Sequence, residues 1–284
     1  MGDRPNILLI TSDQQHWSTL GCLNPEISTP NLDRLAVQGT LFERAYCPNP
    51  TCTPTRASMI TGKYPSQHGA WSLGTKLPES EHTVGEDFTA AGYRTSLVGK
   101  AHFQPLQATE EFSSLESYPI LQDLNFWRNF EGPFYGFEQV RLARNHADEA
   151  HVGQHYALWM EERGLANWRD YFRPPTGNNS TQRHRWDIPE EFHYDAWIAE
   201  ETCGQLSDYA GKGENFFLWA SFLRSATTLF SAGAMGSNVR SGQNRGAGNF
   251  TRRARGEPTA LRHDARGVAR FFRLEGKWLR HSRL

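Results

Sequence analysis

Four consecutive apolar residues, Ile7-Leu8-Leu9-Ile10, that break off into Thr11-Ser12-Asp13 constrain this 284-residue chain more than any other feature. An apolar run without polar alternation marks a strand covered on both faces, and such strands belong to parallel sheets with helices on either side. The same grammar recurs along the chain. Thr29-Pro30 supplies an N-cap and a first helical position, Leu32, Leu35 and Ala36 share one face, and Gly39 closes the helix. Thr83 to Ala91 reads as a helix stopped at Gly92, followed by a strand over Tyr93 to Gly99; Tyr194 to Tyr209 reads as a helix followed by an apolar strand over Asn215 to Phe222. Leu41 to Tyr46 alternates as a further strand, and a helix is expected over Thr55 to Thr61, ended by Gly62. Helix and strand in alternation predict an α/β fold with a mixed, mostly parallel sheet flanked by helices. In such sheets ligands bind beyond the carboxyl ends of strands, so Asp13 and the segment Lys100 to His102 are expected to face one crevice.

Residues 105–190 are aromatic and polar with weak periodicity, apart from a helix expected around His151 to Arg163, and read as an insertion or lid. His151 and His155 stand four apart, a spacing that can ligate a metal on a helix. No glutamate follows His151 as a zinc-protease motif requires, so His146, His151 and His155 read as surface or lid residues. Asp148, Glu149, Glu161 and Glu162 read as a solvated helix face. Cys22, Cys47, Cys52 and Cys203 are too few and too scattered for a disulfide framework. Nothing after Met1 has the basic and apolar regions of a leader, and no apolar run is long enough to span a bilayer. The expectation is a cytoplasmic protein with no membrane partner.

The segment Cys52-Thr53-Pro54-Thr55-Arg56, continued by Ala57-Ser58-Met59 and Thr61-Gly62, resembles the signature of the type I sulfatases. Three further segments resemble that family in the family's order: Pro5-Asn6-Ile7-Leu8 leading to Asp13-Gln14, Thr29-Pro30-Asn31-Leu32-Asp33-Arg34-Leu35-Ala36, and Gly92-Tyr93 through Val98-Gly99-Lys100-Ala101-His102. Tyr194 to Phe222 extends the likeness more weakly. The resemblance implies an alkaline-phosphatase-like fold and hydrolysis of small-molecule sulfate monoesters. It implies that a maturation enzyme reading Cys-x-Pro-x-Arg oxidises Cys52 to formylglycine; Thr55 stands where Ser or Ala is usual. One hydroxyl of the hydrated aldehyde then attacks sulfur, and the other expels sulfate as the aldehyde re-forms. By the same resemblance Asp13 is a ligand of a calcium ion, with magnesium or manganese as substitutes, Gln14 takes the place of a second acidic ligand, and the modified Cys52 is a third. Arg56 holds the modified residue, while Lys100 and His102 contact the sulfate and the leaving oxygen, His102 as a proton donor. Such chemistry needs these residue types, because attack on an anionic ester requires a strong nucleophile, cations and a stabilised leaving group. A phosphonate or phosphate ester hydrolase of the same superfamily is the alternative activity, with Lys100 favouring sulfate.

After Phe222 the likeness stops. Residues 223–284 hold twelve Arg and one Lys against three acidic residues, a surplus of +10, whereas residues 1–222 carry −11. An arginine-rich arm could bind nucleic acid, but the interleaved aromatics of a stacking surface are missing, so no nucleic-acid partner is expected. The genetic code offers another origin. Met235-Gly236 is encoded ATG-GGN, which read one base later contains the tryptophan codon TGG. In that frame Leu223 to Ala234 can be recoded as Ser-Asp-Pro-Gln-Pro-Pro-Phe-x-Pro-Pro-Glu-Pro, similar to the sulfatase segment Ser-Phe-Pro-Asp-Pro-His-Pro-Pro-Phe. The expectation is a sulfatase N-terminal domain over residues 1–222, truncated ahead of the family's later Asp-His or Asp-Asn metal pair and second lysine. Residues 223–284 are then an out-of-frame, disordered tail, and the chain is a feeble or inactive remnant.

Overall fold

The computed structural model describes residues 4–144, 149–173, 183–223 and 229–232. Its strands are β1 (Ile7–Ser12), β2 (Arg94–Gly99), β3 (Gln139–Leu142), β4 (Arg183–Trp186), β5 (Phe216–Phe222) and β6 (Leu229–Ala232). Its α-helices are α1 (Pro30–Gln38), α2 (Cys52–Thr61), α3 (Pro65–His68), α4 (Val84–Ala90), α5 (Leu124–Asn129), α6 (Gln154–Glu162), α7 (Trp168–Tyr171) and α8 (Tyr194–Lys212).

A parallel sheet runs in the order β1-β5-β2-β3, and β4 pairs separately with β6. The last of these four strands in sequence is therefore inserted between the first two. Ser12 stands opposite Phe222 and Gly99 opposite Ser221, so β1, β5 and β2 end level with one another. Gly99 is required there: its φ is +98°, and a Cβ would lie 2.1 Å from the carbonyl oxygen of Ser221.

Alternation along the inner strands builds two apolar layers. Leu97, Phe217 and Trp219 pack with Ala57 and Ile60 of α2 and with Trp127 of α5. Val98 faces the other way, into a layer with Tyr156 of α6 and Trp197 and Ile198 of α8. The apolar run of β5 is thus covered on both faces, whereas β1, expected to be covered likewise, is an edge strand of the sheet and leaves Ile10 55 % exposed.

Residues 105–190 do more than an insertion or lid requires. They supply β3 to the central sheet and bury Trp127, Phe137 and Trp168 completely, because their aromatic residues pack without a helical or strand period. His155 is likewise buried at 3 % exposure rather than at the surface, and α6 starts at Gln154, past His151. Its Nδ1 accepts from the Leu142 N–H at 2.9 Å and its Nε2 donates to the Phe130 carbonyl at 2.6 Å. His146 and Asp148 lie outside the described residues.

Burial pushes the His155 pKa down from 6.5 to about 4. The unfolded chain takes up this proton near pH 6.5 and the folded chain only near 4, so the stability is complete above 6.5 and drains away between those values, by about 3 kcal/mol. His193, also pushed to about 4 by burial, acts in the same direction. His155→Gln keeps a donor and an acceptor but cannot titrate. Urea unfolding of this variant between pH 6.5 and 4.5 is expected to show a pH slope smaller by one proton; an unchanged slope would refute the assignment.

Leu41 to Tyr46 forms no strand. The segment turns at Glu43-Arg44, and Phe42 and Tyr46 are 74 % and 88 % exposed, so alternation here has no neighbouring strand to pair with. Helix α1 forms where expected, yet none of its residues is buried, and Val37 is 82 % exposed. Its Thr29 hydroxyl makes no cap bond; it accepts from the Gly21 N–H and donates to Asp33, whose carboxylate also takes the Cys22 N–H. The Thr-Pro-Asn-Leu-Asp segment is thereby a latch on the loop that follows β1. Among the described residues no helix is long and apolar enough to cross a membrane.

Candidate active site

The level ends of β1, β5 and β2 deliver three functional segments to one place. The Asp13 N–H continues the ladder to the Phe222 carbonyl (3.2 Å), and that of Lys100 to the Ser221 carbonyl (3.0 Å), so Asp13 and Lys100 flank the end of β5. Helix α2 begins at Cys52, three residues ahead of the expected start, because Pro54 is tolerated in a first turn that needs no N–H partner. The Thr55 hydroxyl donates to the Asn49 carbonyl, a bond that the usual serine could make equally well. Cys52 and Arg56 are one turn apart and share a face.

Side chains converge there, most of them buried. Lys100 Nζ lies 2.7 Å from Asp13 Oδ2 and 3.6 Å from Cys52 Sγ. Arg56 Nη2 lies 3.6 Å from Asp13 Oδ1, while its Nη1 donates to the Lys100 carbonyl (2.7 Å) and the Ser221 hydroxyl (2.8 Å). Lys100 is 1 % exposed and Arg56 5 %. Burial lowers the pKa of Lys100, and repulsion from Arg56 lowers it further against the pull of Asp13 and Cys52. Burial lowers that of Arg56 too, with Asp13 the main opposing charge. Two cations short of counter-charge next to the Cys52 thiol gain from an anion, and the N–H groups at the start of α2 add to that attraction.

His102 is fully buried with a φ of +56°, and its Nε2 lies 3.1 Å from Nη2 of Arg144. Gln14 follows Asp13 in the chain, exposed and with a φ of +57°. Sequence reasoning missed Ser221, Glu116 and Arg144. Ser221, the polar residue near the end of an apolar strand, was open to the argument that found Asp13; Glu116 and Arg144 come from the aperiodic stretch and carry no sequence signal.

A calcium ion takes six to eight oxygen ligands. The described residues bring only the Asp13 carboxylate, the Gln14 amide and whatever oxygen a modified Cys52 offers, and both Asp13 oxygens already face cations. Among the described residues no group of three or more His, Cys, Asp or Glu could hold a metal ion. This donor set does not complete a dication site.

Comparison with known proteins places the chain in a family. The sulfatase family profile matches residues 5–232. An arylsulfatase of Clostridium perfringens is 31 % identical over 230 residues, 80 % of this chain and 44 % of that protein. An uncharacterized sulfatase of Escherichia coli, YidJ, is 33 % identical over 244 residues, 76 % of this chain and 46 % of its own length. The chain thus spans less than half the length of these relatives. Among solved structures, the phosphonate monoester hydrolase of Agrobacterium radiobacter superposes with a TM-score of 0.55 at 25 % identity, covering 78 % of this chain and 41 % of that one. With a family match over most of its length and a shared alkaline-phosphatase-like fold, this chain belongs to the sulfatase family.

Proposed function

We propose that this site hydrolyses sulfate monoesters of small molecules once a maturation enzyme has oxidised Cys52 to formylglycine. The observation that carries the reading is the buried Lys100 ammonium 3.6 Å from Cys52 Sγ, with Arg56 on the same helical face. The hydrated aldehyde would supply a hydroxyl nucleophile and, through its second hydroxyl, a way to expel sulfate without water attacking sulfur. Lys100 and the first turn of α2 draw the sulfate oxygens over residue 52. Arg56, held by Ser221 and the Lys100 carbonyl, keeps residue 52 oriented, and His102 contributes hydrogen bonding. The phosphonate or phosphate ester alternative rests on the likeness to a phosphonate monoester hydrolase, and a singly charged ester of either kind suits the same cations.

A calcium ion, or magnesium or manganese in its place, would add Lewis acidity at Asp13 and Gln14. With so few donors it binds weakly, and this chain on its own is feeble or inactive. The native domain is read as residues 1–222, although the family match runs on to residue 232. Sequencing the gene across the codons for Phe222 to Gly236 decides whether a single-base shift restores the Asp-Pro and Trp reading.

Two measurements test the activity. In cells that contain a formylglycine-generating enzyme, the peptide bearing Cys52 is expected to show the mass of an aldehyde, and an unmodified thiol there would sink the mechanism. This chain with calcium is expected to hydrolyse 4-nitrophenyl sulfate no faster than its Cys52→Ala variant. Metal-dependent turnover above that background would refute the remnant reading, and preference for a phosphonate monoester would favour the alternative.

A further inference from the structure

Behind His102 lies a buried cluster that the surroundings of Cys52 do not explain. Glu116 is 1 % exposed, and its carboxylate accepts three successive backbone N–H groups, from His102 at 2.7 Å and from Phe103 and Gln104 at 2.8 Å each. Such charge-assisted bonds are about twice as strong as neutral ones. Here they hold His102 in the left-handed region, where a non-glycine residue is disfavoured by about 1 kcal/mol. The loop that carries His102 is therefore folded around the Glu116 carboxylate.

Arg144, two residues beyond β3, reaches the same cluster and is also 1 % exposed. Its Nη1 donates to the Glu116 carbonyl (2.5 Å) and the Pro105 carbonyl (3.4 Å), while Nη2 meets His102 Nε2. Burial pushes the Arg144 pKa down only to about 10, with attraction to Glu116 and then Cys52 opposing, so it stays a cation near neutral pH. A guanidinium offers N–H donors and no acceptor. Nε2 of His102 must then be the acceptor, and a neutral ring carries its proton on Nδ1.

We propose that Glu116 and Arg144 are positioning residues that set the backbone, ring orientation and tautomer of His102, so that this residue works through an Nδ1 proton. Its Nε2, occupied by Arg144, cannot deliver a proton to a leaving oxygen. The part of His102 in the reaction rests on the function proposed above; its tautomer does not, and can be read without any turnover.

Two-bond nitrogen–proton correlation spectra of the full chain labelled with 15N-histidine, with His102 assigned by its loss in His102→Gln, report which ring nitrogen is protonated. The wild type is expected to show unprotonated Nε2 near neutral pH. Arg144→Met is expected to move the proton to Nε2, and Arg144→Lys, which keeps a cationic donor, to restore the wild-type tautomer. A protonated Nε2 in the wild type, or an unchanged tautomer in folded Arg144→Met, overturns the proposal. Should Arg144→Met fail to fold, the wild-type spectrum decides alone. In Glu116→Gln the amides of His102, Phe103 and Gln104 are expected to exchange with solvent about tenfold faster relative to the sheet. Unchanged protection would remove Glu116 from the device.

Discussion

Asp13→Ala is expected to destabilise the fold by about 3–5 kcal/mol, because it leaves a buried ammonium without its carboxylate. Lys100 is 1 % exposed and sits 2.7 Å from Asp13 Oδ2, its carboxylate partner among the described residues, with Arg56 adding a second cation to the same pocket. Losing the anion sets two positive charges against each other in a buried site. Burial lowers the pKa of Lys100, so loss of its proton caps the damage within the range for broken ion pairs. The double variant Asp13→Ala/Lys100→Met removes both charges and is expected to recover most of the loss. Urea unfolding in EDTA, followed by far-ultraviolet circular dichroism, measures this without any contribution from bound metal. A loss below about 1 kcal/mol for Asp13→Ala would mean that the pair behaves as an exposed one.

Trp219→Ala is expected to cost a similar amount, about 3–5 kcal/mol, through the cavity it opens in the middle of the sheet. The ring is fully buried and packs near Phe103 and Phe137, with centroids 6.1 Å and 6.2 Å away. It is also linked to the candidate site. Its Nε1–H donates to the Thr11 hydroxyl at 2.9 Å, the Thr11 hydroxyl donates to that of Ser221 at 3.3 Å, and Ser221 accepts from Arg56, whose guanidinium lies 5.9 Å from the Trp219 ring centroid. Trp219→Phe keeps most of the volume and loses the donor, so it is expected to cost about 1–3 kcal/mol, the penalty of an unmet buried polar group together with a smaller void. If both variants unfold at the wild-type urea concentration, the aromatic layer is not what supports the sheet.

Local order was largely legible because it is written in neighbouring residues. The apolar runs within β1 and β5 show as hydrophobic stretches, α1 and α4 are bracketed by threonine and glycine, and the Cys52 to Arg56 signature marks a candidate nucleophile and a cation. The rule that ligands sit beyond the carboxyl ends of parallel strands brought Asp13 and Lys100 together, and the 2.7 Å contact between them agrees. Leu41 to Tyr46 failed because alternation predicts only a capacity for pairing, and a strand exists only where a partner edge is available.

What tertiary structure alone decided has a common cause. The insertion of β5 between β1 and β2 depends on pairing between residues some two hundred positions apart, as Ile7 with Phe217, and no local pattern encodes such a choice. The aromatic stretch before β3 and around α5 carries no period because its rings fill space left by other elements, so its place in the core emerges only when those elements are assembled. Glu116 and Arg144 look like ordinary surface charges in the sequence. They matter because folding strips them of water and leaves each one, for solvation, the backbone groups and the imidazole of the loop that carries His102. The sequence by itself determined which residues can do chemistry and which strand ends present them; the assembled fold decided what surrounds them, because burial and partner geometry belong to no single segment.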